Sequence, residues 1–307
     1  MSISANLVKE LREKTNAGMM DCKKALQETS GDFEAAIEWL RKKGLASAAK
    51  KTGRIAAEGL VSAQVSGKTG VVVEVNSETD FVARNDGFKS FVADVVQHAL
   101  KNPQGDISTQ KWSANPSITT EDAIKEVVAK IGENIVIRRT ARYDLTGEGV
   151  IHTYIHGEGK IAVMIELGST TAAAAAAPEF KTLAADLCLH IAAMNPMAIS
   201  GSEISPELVA KEKEILRAKN LEQGKKADMV DKIVDGQIRK FLAENCLLDQ
   251  PFVKNPDLKN SDLLKETGKK IGGELSVRRF VRFELGEGIE KKSVDFAAEV
   301  AEQMKGH

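Results

Sequence analysis

The sequence lacks several things that would point to common kinds of chemistry. Net charge is almost absent: 43 Lys and Arg oppose 44 Asp and Glu, leaving −1 at pH 7. Nucleic-acid binding draws its affinity from neutralised phosphates, so a chain without a cationic surplus is poorly suited to it, local patches aside. Cysteine is scarce. Cys22, Cys188 and Cys246 are isolated thiols without CxxC spacing, which argues against a disulfide framework and against a tetrahedral zinc site. Apolar runs fall short of the roughly 18–20 residues of a membrane helix. The opening MSISANLVKELREKT is charged and amphipathic, without the apolar stretch of a secretory signal. These absences lead to the expectation of a reduced, cytoplasmic protein that meets no membrane.

Reaction motifs are missing too. There is no G-x-x-x-x-G-K-[ST] to cradle phosphates, no G-x-G-x-x-G between strand and helix, and no HExxH or GxSxG. Asp144-Leu145-Thr146-Gly147 has the D-x-x-G form, but without a phosphate loop it reads as a turn. His98, His152, His156, His190 and His307 lack helical ligand spacing; His152 and His156, four apart, lie in an alternating, strand-like stretch. The chain is expected to use no metal and no cofactor, and to be a binding or regulatory protein rather than an enzyme.

What is present begins with three short helical patterns in the first 44 residues. Leu7, Val8 and Leu11 share one stripe, Cys22, Ala25 and Leu26 a second, and Phe33, Ala36, Ile37 and Leu40 a third. Asp21 and Asp32 suit N-caps, and Gly44 after Arg41-Lys42-Lys43 reads as a helix stop, with a small, basic linker over 46–54. Gly18-Met19-Met20 places two adaptable apolar side chains at a helix junction, where they could be bundle core or binding surface.

The rest of the chain is duplicated. Asn115-Pro116, Asp122, Lys130-Ile131-Gly132 and Arg138-Arg139 recur 140 residues later as Asn255-Pro256, Asp262, Lys270-Ile271-Gly272 and Arg278-Arg279. Gly59-Leu60-Val61 and Gly67 recur 90 residues later as Gly149-Val150-Ile151 and Gly157; Phe88 and His98 recur 92 residues later as Phe180 and His190. Each copy reads as a hairpin whose second arm, Val71-Val72-Val73-Glu74-Val75 or Ile161 to Leu167, is apolar enough for a central strand. The longer offset marks an insertion near 205–243. There Leu208, Val209, Ile215 and Leu216 stripe one helix and Val230, Ile233, Val234, Ile238 and Phe241 another, an antiparallel hairpin. The fold class is therefore α+β: a three-helix domain and linker over 1–55, then two duplicated α+β subdomains over 56–145 and 146–285, the second carrying the helical insertion.

Duplication provides an internal control. Features in both copies, such as His98 with His190 and the two double-arginine strands, read as architecture. The loop after the hairpin differs: Asn76-Ser77-Glu78-Thr79-Asp80-Phe81-Val82-Ala83-Arg84 stands against Gly168-Ser169-Thr170-Thr171 followed by alanines. Phe81 meets Ala173. An aromatic that filled its own subdomain's core should have a bulky counterpart, so Phe81 suits a wedge pushed into a partner; the alternative is a space peculiar to the first copy.

Leu11 to Leu26 resembles the N-terminal signature of the translation elongation factor Ts family, and Glu74 to Arg84 resembles its second signature. Lys130-Ile131-Gly132-Glu133-Asn134-Ile135, His156-Gly157 and Phe283 to Lys291 also fit, so the likeness runs through nearly the whole chain in order. It implies a ubiquitin-associated-like bundle at the N-terminus and a C-terminal module over 286–307. It also implies guanine nucleotide exchange on elongation factor Tu: binding the GDP form, speeding GDP release, and leaving when GTP binds. By the same likeness Thr79, Asp80, Phe81 and Val82 would disturb the partner's Mg²⁺ site and switch region. Arg12, Met19, Met20, Ile131, Gly132 and His156 would contact it. Phe296, Ala297, Val300 and Ala301 form a helical stripe that could dock on the partner or fold back on the core. Direct nucleic-acid contact is not expected, and a homodimer or a 2:2 complex stays open. The competing readings are a scaffold that holds elongation factor Tu without promoting exchange, or an RNA-associated cofactor using the helical hairpin.

Overall fold

The computed structural model describes residues 3–290 apart from 16, 104 and 106. The C-terminal stripe Phe296, Ala297, Val300 and Ala301 lies outside the described residues. The described chain is α+β. It runs α1 (Ala5–Thr15), α2 (Met19–Glu28), α3 (Phe33–Ala49), β1 (Glu58–Ser66), β2 (Thr69–Ser77), α4 (Asp80–Arg84), α5 (Asp86–Lys101), α6 (Thr120–Ile131) and β3 (Val136–Asp144). It continues as β4 (Gly149–His156), β5 (Ile161–Ser169), α7 (Ala172–Ala176), α8 (Pro178–Met194), α9 (Pro206–Glu222), α10 (Ala227–Asn245), β6 (Pro251–Phe252), β7 (Asn255–Lys259), α11 (Asn260–Ile271) and β8 (Leu275–Glu284). Two compact units result: Met1–Leu60 with Glu74–Arg139 and Leu285–His307, and Val61–Val73 with Thr140–Glu284. No described helix is long and apolar enough to cross a membrane.

In the first unit the three helical stripes meet: Val8, Leu11, Cys22, Ala25, Leu26 and Ala36 form a small core, with Leu7, Phe33, Ile37 and Leu40 packed against it. Asp32 caps α3, its carboxylate accepting from the Ala35 N–H at 2.9 Å. Asp21 is not a cap. Gly18 occupies that position, and Asp21 lies inside the first turn of α2, paired with Lys43. Gly44 does not stop α3 either, which continues to Ala49 and absorbs the first part of the expected linker. The glycine is there for approach: a Cβ on it would lie 2.9 Å from Ala129 Cβ on α6, so the two helices meet backbone to side chain.

The duplication governs the two large sheets. Their orders are β1-β2-β3 and β4-β5-β8, with the two most apolar strands, β2 and β5, in the middle. In the second unit the core beneath β5 gathers Val163, Ile165 and Leu167 with Phe180, Leu183, Leu187 and Ile191 of α8. Each central strand carries one charge inward. Glu74 and Glu166, 92 residues apart, are 0% and 1% exposed. Glu74 accepts from Arg138 Nη1 (3.0 Å), Arg139 Nε (2.5 Å) and the Gly286 N–H (2.9 Å). Glu166 accepts from Arg278 Nη1 (3.1 Å), Arg279 Nε (2.7 Å) and both the N–H and hydroxyl of Thr146. Burial opposes ionisation of both carboxyls, but the backbone N–H and the two guanidinium groups outweigh it and hold each below the usual carboxylate range. The double arginines are thus architectural, as the duplication implied.

The paired histidines are architectural too. His98 meets the Gln110 side chain at 3.0 Å through Nε2, and its Nδ1 accepts from the Ser113 N–H. His190 meets Gln250 at 2.9 Å through Nε2, and its Nδ1 accepts from the Val253 N–H. Gln110 and Gln250 keep the 140-residue offset. Burial lowers the pKa of both histidines from the usual value of 6.5.

α9 and α10 form the inserted hairpin. Val230, Val234 and Ile238 pack against Val209 and Leu216, with Lys213–Asp235 (3.1 Å) and Arg217–Asp231 (3.3 Å) alongside. Leu208 and Ile215, expected on the packed stripe, are exposed instead. A helix that meets a single partner needs only a narrow seam, and Val209 and Leu216, seven apart, supply it. Cys22, Cys188 and Cys246 are buried free thiols.

Candidate functional site

The loop that distinguishes the two copies leaves β2 at Ser77, whose hydroxyl donates to the Thr79 carbonyl at 3.0 Å. It then enters α4, a helix of one and a half turns. Val82 and Ala83 are buried and hold the turn down, while Phe81 stands out with 78% of its surface exposed. An aromatic normally gains roughly 1.5–3 kcal/mol by burial, and Phe81 forgoes it. The ring does not fill a space peculiar to the first copy. At the matching turn α7 buries Ala174 and exposes Ala172 and Ala173, so the backbone device is shared and only the projecting ring is new.

The turn is braced from its flank. Thr79 donates its N–H to Glu133 Oε2 at 3.0 Å and its hydroxyl to Glu133 Oε1 at 2.7 Å. Glu78 accepts from the Asn134 N–H at 2.6 Å, and Asn134 donates its side-chain amide to the Arg54 carbonyl at 2.8 Å. Below the loop, Asn85 caps α5 by accepting from the Gly87 and Phe88 N–H groups. Asp80 makes an exposed pair with Arg84 at 3.4 Å, of the i,i+4 kind that is worth only a few tenths of a kcal/mol.

These ties bring two groups of expected contact residues together. Ile131 ends α6 half-buried, and Gly132 follows in a left-handed conformation (φ 93°), its N–H donating to the Val128 carbonyl. Glu133 and Asn134, next in the chain, grip Thr79 and Glu78. Arg12, Met19 and Met20 lie in the same compact unit, all exposed; the methionines are 55% and 74% exposed, which removes them from the bundle core. His156 belongs to the other unit, exposed at the end of β4 with its Nδ1 3.0 Å from the Tyr154 hydroxyl. Glu133 was missed as a site residue although a signal existed: its counterpart 140 residues on is Gly273.

Among the described residues no group of three or more His, Cys, Asp or Glu is gathered to hold a metal ion. Fold and site define an α+β protein with an N-terminal helical bundle, whose distinctive surface is an exposed aromatic on a braced turn. Residues 78–287 match the family described as Elongation factor TS. Over its whole length the chain is similar to the elongation factor Ts of Bdellovibrio bacteriovorus, 66% identical over all of both chains. It is 47% identical to that of Symbiobacterium thermophilum, over 98% of each chain, and 49% identical to that of Clostridium perfringens, over 97% and 98%. The chain belongs to the elongation factor Ts family.

Proposed function

We propose that the chain is the guanine nucleotide exchange factor for elongation factor Tu, working without covalent chemistry in the cytoplasm. It binds the GDP-bound GTPase, presses the Thr79–Val82 turn against its switch region and Mg²⁺ site, and stays on the nucleotide-free form until GTP binds. The observation that carries this reading is Phe81, fully aromatic, exposed on a braced turn, and replaced by alanine in the sister copy. Family membership supports the exchange role; the exposed turn supports this mechanism for it.

The physics is a coupling of two binding equilibria. Mg²⁺ screens phosphate charge and bridges nucleotide to protein, so displacing its ligands weakens GDP. By reciprocity GDP must weaken the exchange factor by the same factor. Burying the Phe81 ring in the partner supplies roughly 1.5–3 kcal/mol, or one to two decades. Larger acceleration needs further contacts, and we assign these to Arg12, Met19 and Met20 on the bundle, Ile131 and Gly132 beside the loop, and His156. The modules bearing them are the bundle with its linker (1–55) and the subdomains 56–145 and 146–285; the segment 286–307 is a further module that bears none of the six.

The test is release of a fluorescent GDP analogue from elongation factor Tu in a stopped-flow instrument. The reading expects release to accelerate with added chain and to saturate. Binding in a parallel pull-down without faster release would replace it with the scaffold reading.

A further inference from the structure

We infer that Glu133 is a positioning residue for the Phe81 turn, a role that rests on the exchange reading given above. The two copies make the argument. Thr79 and Thr171 precede α4 and α7 at equivalent places with nearly the same backbone, φ −125° and ψ 156° against φ −132° and ψ 143°. Thr171 does what a threonine there ordinarily does: its hydroxyl accepts from the Ala174 N–H at 3.2 Å and caps the helix. Thr79 makes no side-chain cap. Its hydroxyl is turned to Glu133, and its N–H goes to the same carboxylate. The helix that carries Phe81 thus gives up the cap that its sister keeps, in exchange for a two-point tie to the corner after α6.

The corner itself differs in the same sense. Where the first copy has Glu133 the second has Gly273, and a Cβ there would lie 2.7 Å from Ala174 Cβ and 3.1 Å from both Ser169 Oγ and Thr171 Oγ1. In the second copy the loop packs directly on the corner and leaves no room for a side chain. In the first, a carboxylate is interposed and fixes the loop at a set distance. The neighbouring tie is common to both: Glu78 accepts from the Asn134 N–H, and Thr170 accepts from the Glu274 N–H at 3.0 Å. Shared ties close the loop; the unshared one sets the turn that bears the ring. A hydrogen bond to a charged group is among the stronger ones available, and this carboxylate receives two from one residue.

The test uses the full chain with Glu133→Ala, Glu133→Gln, and Glu133→Ala combined with Phe81→Ala. Glu133→Ala is expected to lower the saturating rate of GDP release from elongation factor Tu by about tenfold, the order set by loss of a hydrogen bond to a charged group. The concentration of factor at half-saturation should move much less, and Glu133→Gln, which keeps one acceptor, should recover part of the rate. In the Phe81→Ala background the same substitution should change nothing further, because Glu133 acts through the ring. Amide hydrogen exchange supplies a readout independent of the partner: the Thr79 N–H should lose protection in Glu133→Ala while the N–H groups of β2 keep theirs. Unchanged release with unchanged Thr79 protection overturns the inference, as does an equal loss of rate with and without Phe81. Should the unsubstituted chain not accelerate release at all, the exchange reading fails, and Thr79 protection still decides whether Glu133 holds the turn.

Discussion

The loop at 76–84 and the loop at 168–176 follow the same strand, precede the same helix and bury the same position of a short turn, yet one exposes an aromatic ring and the other a row of alanines. The chain itself therefore supplies the control that a mutational series would otherwise provide. What the copies share holds the fold together: the inward Glu74 and Glu166 with their arginine pairs, and His98 and His190 with Gln110 and Gln250. What they do not share, Phe81 and Glu133, contributes little to the core and is open to serve a partner.

That division can be broken by measurement. The largest effects on stability should come from Glu74→Ala and Glu166→Ala, because each strands two arginines around an emptied site. Breaking a buried pair costs about 3–5 kcal/mol, and the partly exposed guanidinium groups put these at the lower end. Denaturant unfolding should report similar losses for both; a large loss from one alone would mean the copies are not equivalent. Next come His98→Ala and His190→Ala, at about 2 kcal/mol each, since each leaves a glutamine side-chain oxygen without its partner, that of half-buried Gln110 or of buried Gln250.

The pH dependence follows from the same groups. Both histidines have folded-state pKa values lowered from 6.5 by burial, so the unfolded chain binds protons first and stability falls as pH drops below about 6.5. Glu74 and Glu166 have lowered values too, so their contribution is present above the ordinary carboxylate range near 4.5 and is lost as pH falls below it. Thermal unfolding against pH should show two declining phases, and His98→Gln should shrink only the upper one. The smallest effect belongs to Ala173→Phe, which rebuilds the exposed ring on the second copy. Its surface position predicts a stability change within about 0.5 kcal/mol. It should add nothing to GDP release, because no glutamate stands at Gly273 to brace it; a clear gain would show that the ring alone suffices.

Much of this fold was legible in the sequence because its signals are periodic or repeated. The apolar arms read as central strands, the offsets exposed both copies, and the jump in offset located the α9–α10 hairpin. Local capping was less legible. Asp21 and Gly44 have the right chemistry for a cap and a stop, but Asp21 pairs with Lys43 and Gly44 is needed for the approach of α6 to α3. Both are decided by residues far away in the chain. The same holds for the site. Phe81 could be singled out because its counterpart is alanine. Glu133 differs from its counterpart Gly273 in the same way, but it lies 54 residues from Thr79 in the chain, and only the fold joins the two.

The central claim is that the Phe81 ring, rather than the docking surface as a whole, loosens the partner's nucleotide. Stopped-flow release of a fluorescent GDP analogue from elongation factor Tu, with the Phe81→Ala chain at saturating concentration, tests it most directly. The account predicts a fall of about one to two decades in the saturating rate while binding in a pull-down persists. Release as fast as with the unsubstituted chain would contradict it.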